Sequence, residues 1–340
     1  MKEVKVALIG FGGIAKSHKK GYDILAAEGE KVRLVAICDI NPEQFKKLES
    51  GINLGSEGKL SIADIHTYTD CDEMIANEEI DMVDICLPTY LHKEYAIRML
   101  KAGKHVLCEK PMALCSEDCR EMIRVAEECD RKLMVGMCLR FEPSYLYLKK
   151  CVDSGCFGKL KYIHMDRLSP LPRWSFEHWF RDTAKSGGCL VDMHIHDVDM
   201  ARFLLGEPKA VSCMSYDDTV RWQVVNSRFY YNGVMVVVDG SWDEAPARGF
   251  SMGFRARFEE AEVVMDGSGV TVYPNEGEAY APELIKQNRM AEEIRLLAVT
   301  IMDPTTKNEV NTPESAAKTI ELCEALKTSA YQNGAIVSFS

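Results

Sequence analysis

The sequence predicts an α/β protein in two parts, a doubly wound parallel sheet over residues 1–138 and a strand-rich α/β part over 139–340. Three observations carry this. Short apolar runs alternate with helical stretches from Val4 to Cys138 at the spacing of strand–helix–strand units. A glycine-rich turn, Gly10-Phe11-Gly12-Gly13-Ile14-Ala15, stands between the first run and the first helix. From Lys209 to Pro274, successive short runs alternate apolar and polar residues with turn residues between them, the pattern of antiparallel hairpins. A chain of 340 residues also exceeds one ordinary core, which fits two domains.

In the first part, Val4 to Ile9 reads as a buried parallel strand. The turn after it has the spacing Gly-x-Gly-x-x-Ala. Gly10 permits the tight bend, Gly12 lets backbone approach a pyrophosphate, and small Ala15 lets the next helix (about Ile14 to Glu28) pack closely on the sheet. The second strand, Val32 to Cys38, ends in Asp39. A carboxylate there can accept both ribose hydroxyls and repels a 2′-phosphate, and no basic residue follows in Ile40-Asn41, so NAD is favoured over NADP. Asp39 also suits a helix N-cap before Pro42-Glu43. Glu43 to Glu49 reads as helical, and 50–63, rich in Gly and Ser, as a surface insertion. A strand near His66 to Tyr68, a helix near Cys71 to Asn77, and a strand from Met82 to Leu87 follow. Pro88-Thr89-Tyr90-Leu91-His92 then opens a helix to about Ala102. His92 is either on the cofactor edge or a helix-start residue satisfying backbone groups. The strand His105 to Leu107 stops at Glu109-Lys110-Pro111, because proline fixes its own backbone and biases the residue before it. Lys110 is thereby held at the carboxyl end of an apolar strand, where an open α/β sheet binds ligands and a partly buried lysine can move protons.

Composition narrows the function. A formal net charge of -11 argues against nucleic-acid and anionic-membrane partners. No apolar run is long enough to span a bilayer, and Met1-Lys2-Glu3 running straight into a strand reads as lacking a signal peptide. The 13 cysteines are scattered without a Cys-x-x-Cys pair, so no metal site is expected, and they fit small core fillers kept reduced in a cytoplasm.

The second part begins with Arg140-Phe141-Glu142-Pro143 at the crossover, after a helix from about Ser116 to Arg131 and a strand from Lys132 to Cys138. A helix (Pro143 to Asp153) and a strand (Leu160 to Arg167) lead to a proline-bounded loop holding Trp174, Trp179 and Arg181. Indole faces can pack on the C–H face of a sugar while Arg bonds its hydroxyls, or the tryptophans can simply anchor the loop. Gly187-Gly188 then opens a helix predicted over Cys189 to Leu205. There Asp192 and His196 are four apart and share a face, with Asp199 near the same line and His194 on the other side. A carboxylate one turn from an imidazole can orient it and raise its basicity. Asn232-Gly233 signals a tight hairpin in the strand-rich stretch. Helices over 281–302 and 313–331 are expected to close the second domain, with a last short strand at 336–339.

Taken together, Gly10 to Ala15, Asp39, Pro88-Thr89 with His92, Glu109-Lys110-Pro111, and Gly187-Gly188 with Asp192 and His196 resemble the Gfo/Idh/MocA family, in the family's order over about two hundred residues. The resemblance implies a Rossmann domain followed by an α/β domain with an open, largely antiparallel mixed sheet. It implies NAD(P)-dependent redox chemistry on a secondary hydroxyl of a sugar, cyclitol or related polyol. Lys110 and His196 would be the proton acid and base, with Asp192 orienting them. The cofactor set it implies is Gly10, Phe11, Gly12, Gly13, Ile14, Ala15, Asp39, Leu87, Pro88, Thr89, His92, Glu109 and Lys110, and the substrate set is Arg140, Trp174, Trp179, Arg181, Asp192 and His196. His194 stands where the family more often has glycine, which leaves a substrate or metal contact open. A homo-oligomer, dimer or tetramer, through the C-terminal sheet is expected. Two rival readings share the motifs: redox-neutral elimination, epimerisation or glycoside cleavage on bound NAD, and a sensor that only binds dinucleotide. Such sensors tend to lose the lysine or the histidine, and both are present here.

Overall fold

The computed structural model describes residues 3–48, 60–173 and 175–339. The chain forms two compact units: Met1–Ala113 with Glu117–Phe141 and Gln287–Ala317, and Leu114–Ser116 with Glu142–Lys286 and Lys318–Ser340.

The first unit contains β1 (Val4–Ile9), α1 (Gly13–Ala27), β2 (Val32–Cys38), β3 (His66–Tyr68), α2 (Cys71–Asn77), β4 (Met82–Ile85), α3 (His92–Lys101), β5 (His105–Glu109), α4 (Ser116–Glu128) and β6 (Leu133–Gly136). The strands are parallel in the order β3-β2-β1-β4-β5-β6. The direction of winding reverses between β1 and β4, which opens a crevice at the strands' carboxyl ends. β4 and β6 are buried throughout and β1 at all positions but Lys5, as strands covered on both faces must be. The helix expected over 43–49 is a shorter 3-10 turn, Pro42–Lys46, capped by the Asn41 side chain. The insertion read over 50–63 lies mostly outside the described residues.

The second unit runs through α5 (Pro143–Ser154), β7 (Leu160–Leu168), α6 (Thr183–Ser186), α7 (Gly188–Asp192), α8 (Ile195–Leu205), β8 (Ala210–Tyr216), β9 (Val224–Tyr230), β10 (Met235–Ser241), β11 (Ser251–Phe258), β12 (Ala261–Asp266) and β13 (Gly269–Pro274). The chain then gives α9 (Arg289–Met302) to the first unit and ends with α10 (Pro313–Tyr331) and β14 (Val337–Ser338). The sheet order is β13-β12-β11-β7-β10-β9-β8-β14. Every neighbouring pair is antiparallel except β7 and β10, so the sheet is mixed, as anticipated. Asn232-Gly233 makes the β9–β10 hairpin turn, with Gly233 in the left-handed region. α7 and α8 lie against one face of the sheet.

Two expectations need correction. The helix predicted from residue 281 starts only at Arg289, where Asn288 caps the backbone N–H groups of Met290 and Ala291. It also does not close the second domain. Ala291, Ile294, Leu297 and Ala298 join the core formed by β1, β2 and α1, so the division of the chain is not a single cut at 138/139. The cause is close helix packing. A Cβ at Gly21 of α1 would lie 3.0 Å from Ile294 Cδ1 and 3.1 Å from Ala291 N, so a larger residue there would push α9 outwards. Arg295 adds ion pairs to Glu28 and Glu30. Gly21→Leu is expected to cost about 1–3 kcal/mol or more through overpacking. Its urea midpoint should fall accordingly, and an unchanged midpoint would mean α9 is not seated against α1.

Candidate active site

The carboxyl edge of the first sheet gathers the expected cofactor residues. Gly10 has φ 87°, and a Cβ there would sit 2.8 Å from Cys86 O and 2.9 Å from Leu87 Cδ2, so the turn passes directly under the β4 loop. Around Gly12 the reverse holds: a Cβ meets nothing within 4 Å, which leaves open space against the turn. The α1 N-terminus has no side-chain cap and no acidic residue in its first turn. A helix start without a side-chain cap, beside open space at Gly12, fits the pyrophosphate of a dinucleotide. Asp39 accepts from Phe11 N–H at 2.7 Å and Asn41 N–H at 2.8 Å, which fixes its half-buried carboxylate at the end of β2. The Phe11 and Ala15 side chains are wholly buried in the core, with Ile14 packed against it, so these three shape the turn from behind. Leu87 and Pro88 are half-buried on the same edge, and Thr89 is buried.

Lys110 follows β5 on this edge and is half-buried. Its backbone N–H donates to Glu109 Oε2 at 3.0 Å. Beneath it lies a buried network that the sequence reading missed. His18 of α1 reaches Glu109 Oε1 through Nε2 and Asp84 Oδ2 through Nδ1, both at 2.8 Å. Tyr22 donates to Asp84 Oδ2 at 2.9 Å. Burial works against a charged imidazole, but Asp84 raises the His18 pKa well above its ordinary value. Burial likewise works against the Glu109 carboxylate, yet His18, then Lys110, hold its pKa below the usual range. Glu293 of α9 is also fully buried, and neither carboxyl oxygen has a hydrogen-bond partner; burial, then Glu109, push its pKa well up. A signal for part of this was present. Asp84 sits inside an apolar strand and Glu293 inside an apolar helical stretch, and buried charges need partners.

Two expectations on the first unit differ from the structure. His92 is 1% exposed, and its ring spans Pro111 O at 2.7 Å and Leu87 O at 2.8 Å, so it ties two loops together and does not face a cofactor. Arg140 is 4% exposed and donates to Val310 O at 2.6 Å and Ser315 Oγ at 2.7 Å. It fastens the returning segment and is not a substrate contact.

In the second unit the predicted helix over 189–205 is interrupted. Gly187 and Gly188 are both in the left-handed region, with a Cβ at Gly188 only 2.4 Å from Arg221 O. α7 ends at Asp192 and α8 starts at Ile195, and between them His194 N–H reaches back five residues to Cys189 O. Asp192 and His196 therefore do not share one regular helical turn. They are nonetheless the only positions from 186 to 202 that are not buried. Asp199 is buried and accepts from Thr319 Oγ1 at 2.8 Å. His194 is fully buried, bonded through Nε2 to Ser227 Oγ at 2.8 Å and fitted over Gly240, and burial pulls its pKa down to about 4. It is an interior group, so the substrate or metal contact left open for it is withdrawn. Trp179 stacks on Phe180 with centroids 4.1 Å apart, against a cluster including Met193 and Trp242, so it anchors the loop. Arg181 is exposed, and Trp174 lies outside the described residues.

Comparison with known proteins adds the following. Residues 4–137 match the family model described as "Oxidoreductase family, NAD-binding Rossmann fold", and residues 145–265 match the "GFO/IDH/MocA C-terminal domain" model. An inositol 2-dehydrogenase of Rhizobium meliloti is 34% identical over 205 residues, covering 60% of this chain and 56% of that protein. A 2,7-anhydro-N-acetylneuraminate hydratase of Mediterraneibacter gnavus is 32% identical over 206 residues, covering 61% and 50%. The chain thus spans about half the length of these relatives. The crystal structure of an aldose-aldose oxidoreductase from Caulobacter crescentus superposes with a TM-score of 0.82 at 23% identity, covering 99% of this chain and 100% of that one, which shows the same fold.

Proposed function

The chain belongs to the Gfo/Idh/MocA oxidoreductase family, and from that premise we propose that it is an NAD-dependent dehydrogenase of a secondary hydroxyl on a sugar, cyclitol or related polyol. The observation that carries the reading is Lys110, placed after β5 on the sheet edge that also bears the Gly10–Ala15 turn and Asp39, with an ionised Glu109 fixed behind it by His18. When bound, NAD supplies the hydride acceptor. Lys110 takes the proton that the substrate hydroxyl must lose, and returns it in the reductive direction. His196 serves as the second acid/base and Asp192 orients it. Arg181 contacts the substrate, and Trp179, which is only half-buried while it anchors the loop, offers its remaining face to it. An inositol dehydrogenase among the relatives supports the substrate class.

Assembly and location are part of the same proposal. Met214, Tyr216 and Met235 are exposed on the second sheet, which supports a homo-oligomer through it. All 13 cysteines are free, which supports a reducing cytoplasm. Among the described residues no helix is long and apolar enough to cross a membrane.

A relative named as a hydratase supports a second reading, redox-neutral chemistry on retained NAD. Absorbance of reduced nicotinamide, followed with NAD and a panel of myo-inositol, aldoses and anhydro-sugars, separates the two. Steady NADH formation with a panel member is the expected result. A flat trace throughout, with nucleotide released on denaturing the purified chain, would overturn it in favour of the redox-neutral reading.

A further inference from the structure

Cys38 is the last residue of β2, directly before Asp39, and Cys71 is the first residue of α2. Their sulfurs are 3.4 Å apart and in hydrogen-bond contact. The two segments are also laced by backbone, since Asp39 N–H donates to Tyr68 O at 3.0 Å. Cys38 is 2% exposed and Cys71 9%, so Cys71 is the one a small molecule reaches first. The hydrogen bond from the Cys38 S–H, then Arg98, lowers the Cys71 pKa, which favours the nucleophilic thiolate. Burial, then Asp70 and Asp72, oppose that lowering, while Cys71, burial, Asp39 and Asp70 push the Cys38 thiol up.

We propose that Cys38 and Cys71 are an oxidation site that takes a hydroperoxide as co-reactant and closes to a disulfide, weakening dinucleotide binding at Asp39. The chemistry balances. The Cys71 thiolate attacks one peroxide oxygen, the O–O bond breaks, and the departing hydroxide takes up a proton to become water. The Cys38 sulfur then attacks the Cys71 sulfenic acid, the S–O bond breaks, and a second water leaves with the Cys38 proton. Two thiols lose two electrons and hydrogen peroxide gains them. A disulfide needs sulfurs about 2.05 Å apart, so closure brings the two sulfurs together by more than roughly an ångström, through side-chain rotation and adjustment of the end of β2 and the start of α2. Any backbone part of that movement falls on the residue next to Asp39, whose carboxylate accepts from the Phe11 and Asn41 N–H groups. The effect on affinity rests on the reading of Asp39 as the ribose-binding carboxylate.

The test treats the full chain with hydrogen peroxide, maps peptides without reduction, and titrates NAD by fluorescence before and after dithiothreitol. The expected result is a linked Cys38–Cys71 peptide, NAD bound about tenfold more weakly, equal to roughly 1.4 kcal/mol, and full recovery on reduction. Cys71→Ser and, separately, Cys38→Ser should keep NAD affinity constant under the same peroxide dose. The proposal is overturned if exposed Cys156 oxidises while no linked peptide forms. It is equally overturned if the link forms and NAD affinity stays the same or tightens. A reduced chain that binds no NAD would instead sink the dehydrogenase reading, and the peptide map would still decide the oxidation site.

Discussion

Lys110→Met is expected to lower steady NADH production by about 10²–10⁴-fold, the usual contribution of one positioned acid/base group. Methionine keeps the unbranched stem and removes only the proton carrier. The peptide N–H that Glu109 Oε2 accepts belongs to the backbone and survives the substitution. NAD affinity should therefore stay within about threefold, since the open turn at Gly12 and the Asp39 carboxylate are untouched. A group used only as the hydroxyl ionises should lower kcat and kcat/KM together, with little change in KM. A raised KM at constant kcat would make Lys110 a binding residue. Turnover above about a tenth of wild type would remove it from the proton transfer altogether. Performing the same assay on His196→Ala asks whether the second acid/base is needed independently.

The parts of this fold that repeat locally were legible. Alternating strands and helices, the Gly10–Ala15 turn and the Asn232-Gly233 hairpin each announce themselves within a few residues, and each appears where expected. What local pattern could not carry was the identity of distant partners. His92 looked like a cofactor-edge group because it opens a helix after Pro88. Its two partners are backbone carbonyls, one of them 19 residues away, and no side-chain pattern reports those. Arg140 bonds residues 170 and 175 positions later, so its structural role depends on α9 returning to the first unit. That return was invisible because α9 is an ordinary amphipathic helix and its seat is a glycine in α1. The 3.6-residue period also hid the break at Met193 and His194, since apolar spacing continues across it. Asp192 and His196 are the half-buried positions of an otherwise buried stretch from 186 to 202, and the regular helical turn assumed for them is broken.

His18→Leu should destabilise the chain by about 3–5 kcal/mol, because it leaves Asp84 and Glu109 buried without their shared partner. Packing alone cannot account for a loss of that size, since leucine fills comparable volume. The pH dependence follows from the directions of the shifts. His18 has a raised folded pKa, so its contribution is complete below its unfolded value near about 6.5 and fades only as pH rises through the higher folded value. Glu109 has a lowered folded pKa, so its contribution is present above about 4.3 and is lost as pH falls through the depressed value. The pair therefore holds across neutrality. Glu293 acts in the opposite sense. Its folded pKa is raised, so the folded chain binds a proton that the unfolded chain releases, and stability declines as pH climbs from about 4.3 towards that higher value. Glu293→Gln removes this decline while keeping a side chain of the same shape. Unfolding free energies of wild type and Glu293→Gln, measured from pH 5 to 9, should diverge, with the variant gaining steadily at the alkaline end. Parallel curves would mean that Glu293 finds a partner or water that stabilises its charge, and that the acid beside Glu109 is not held neutral.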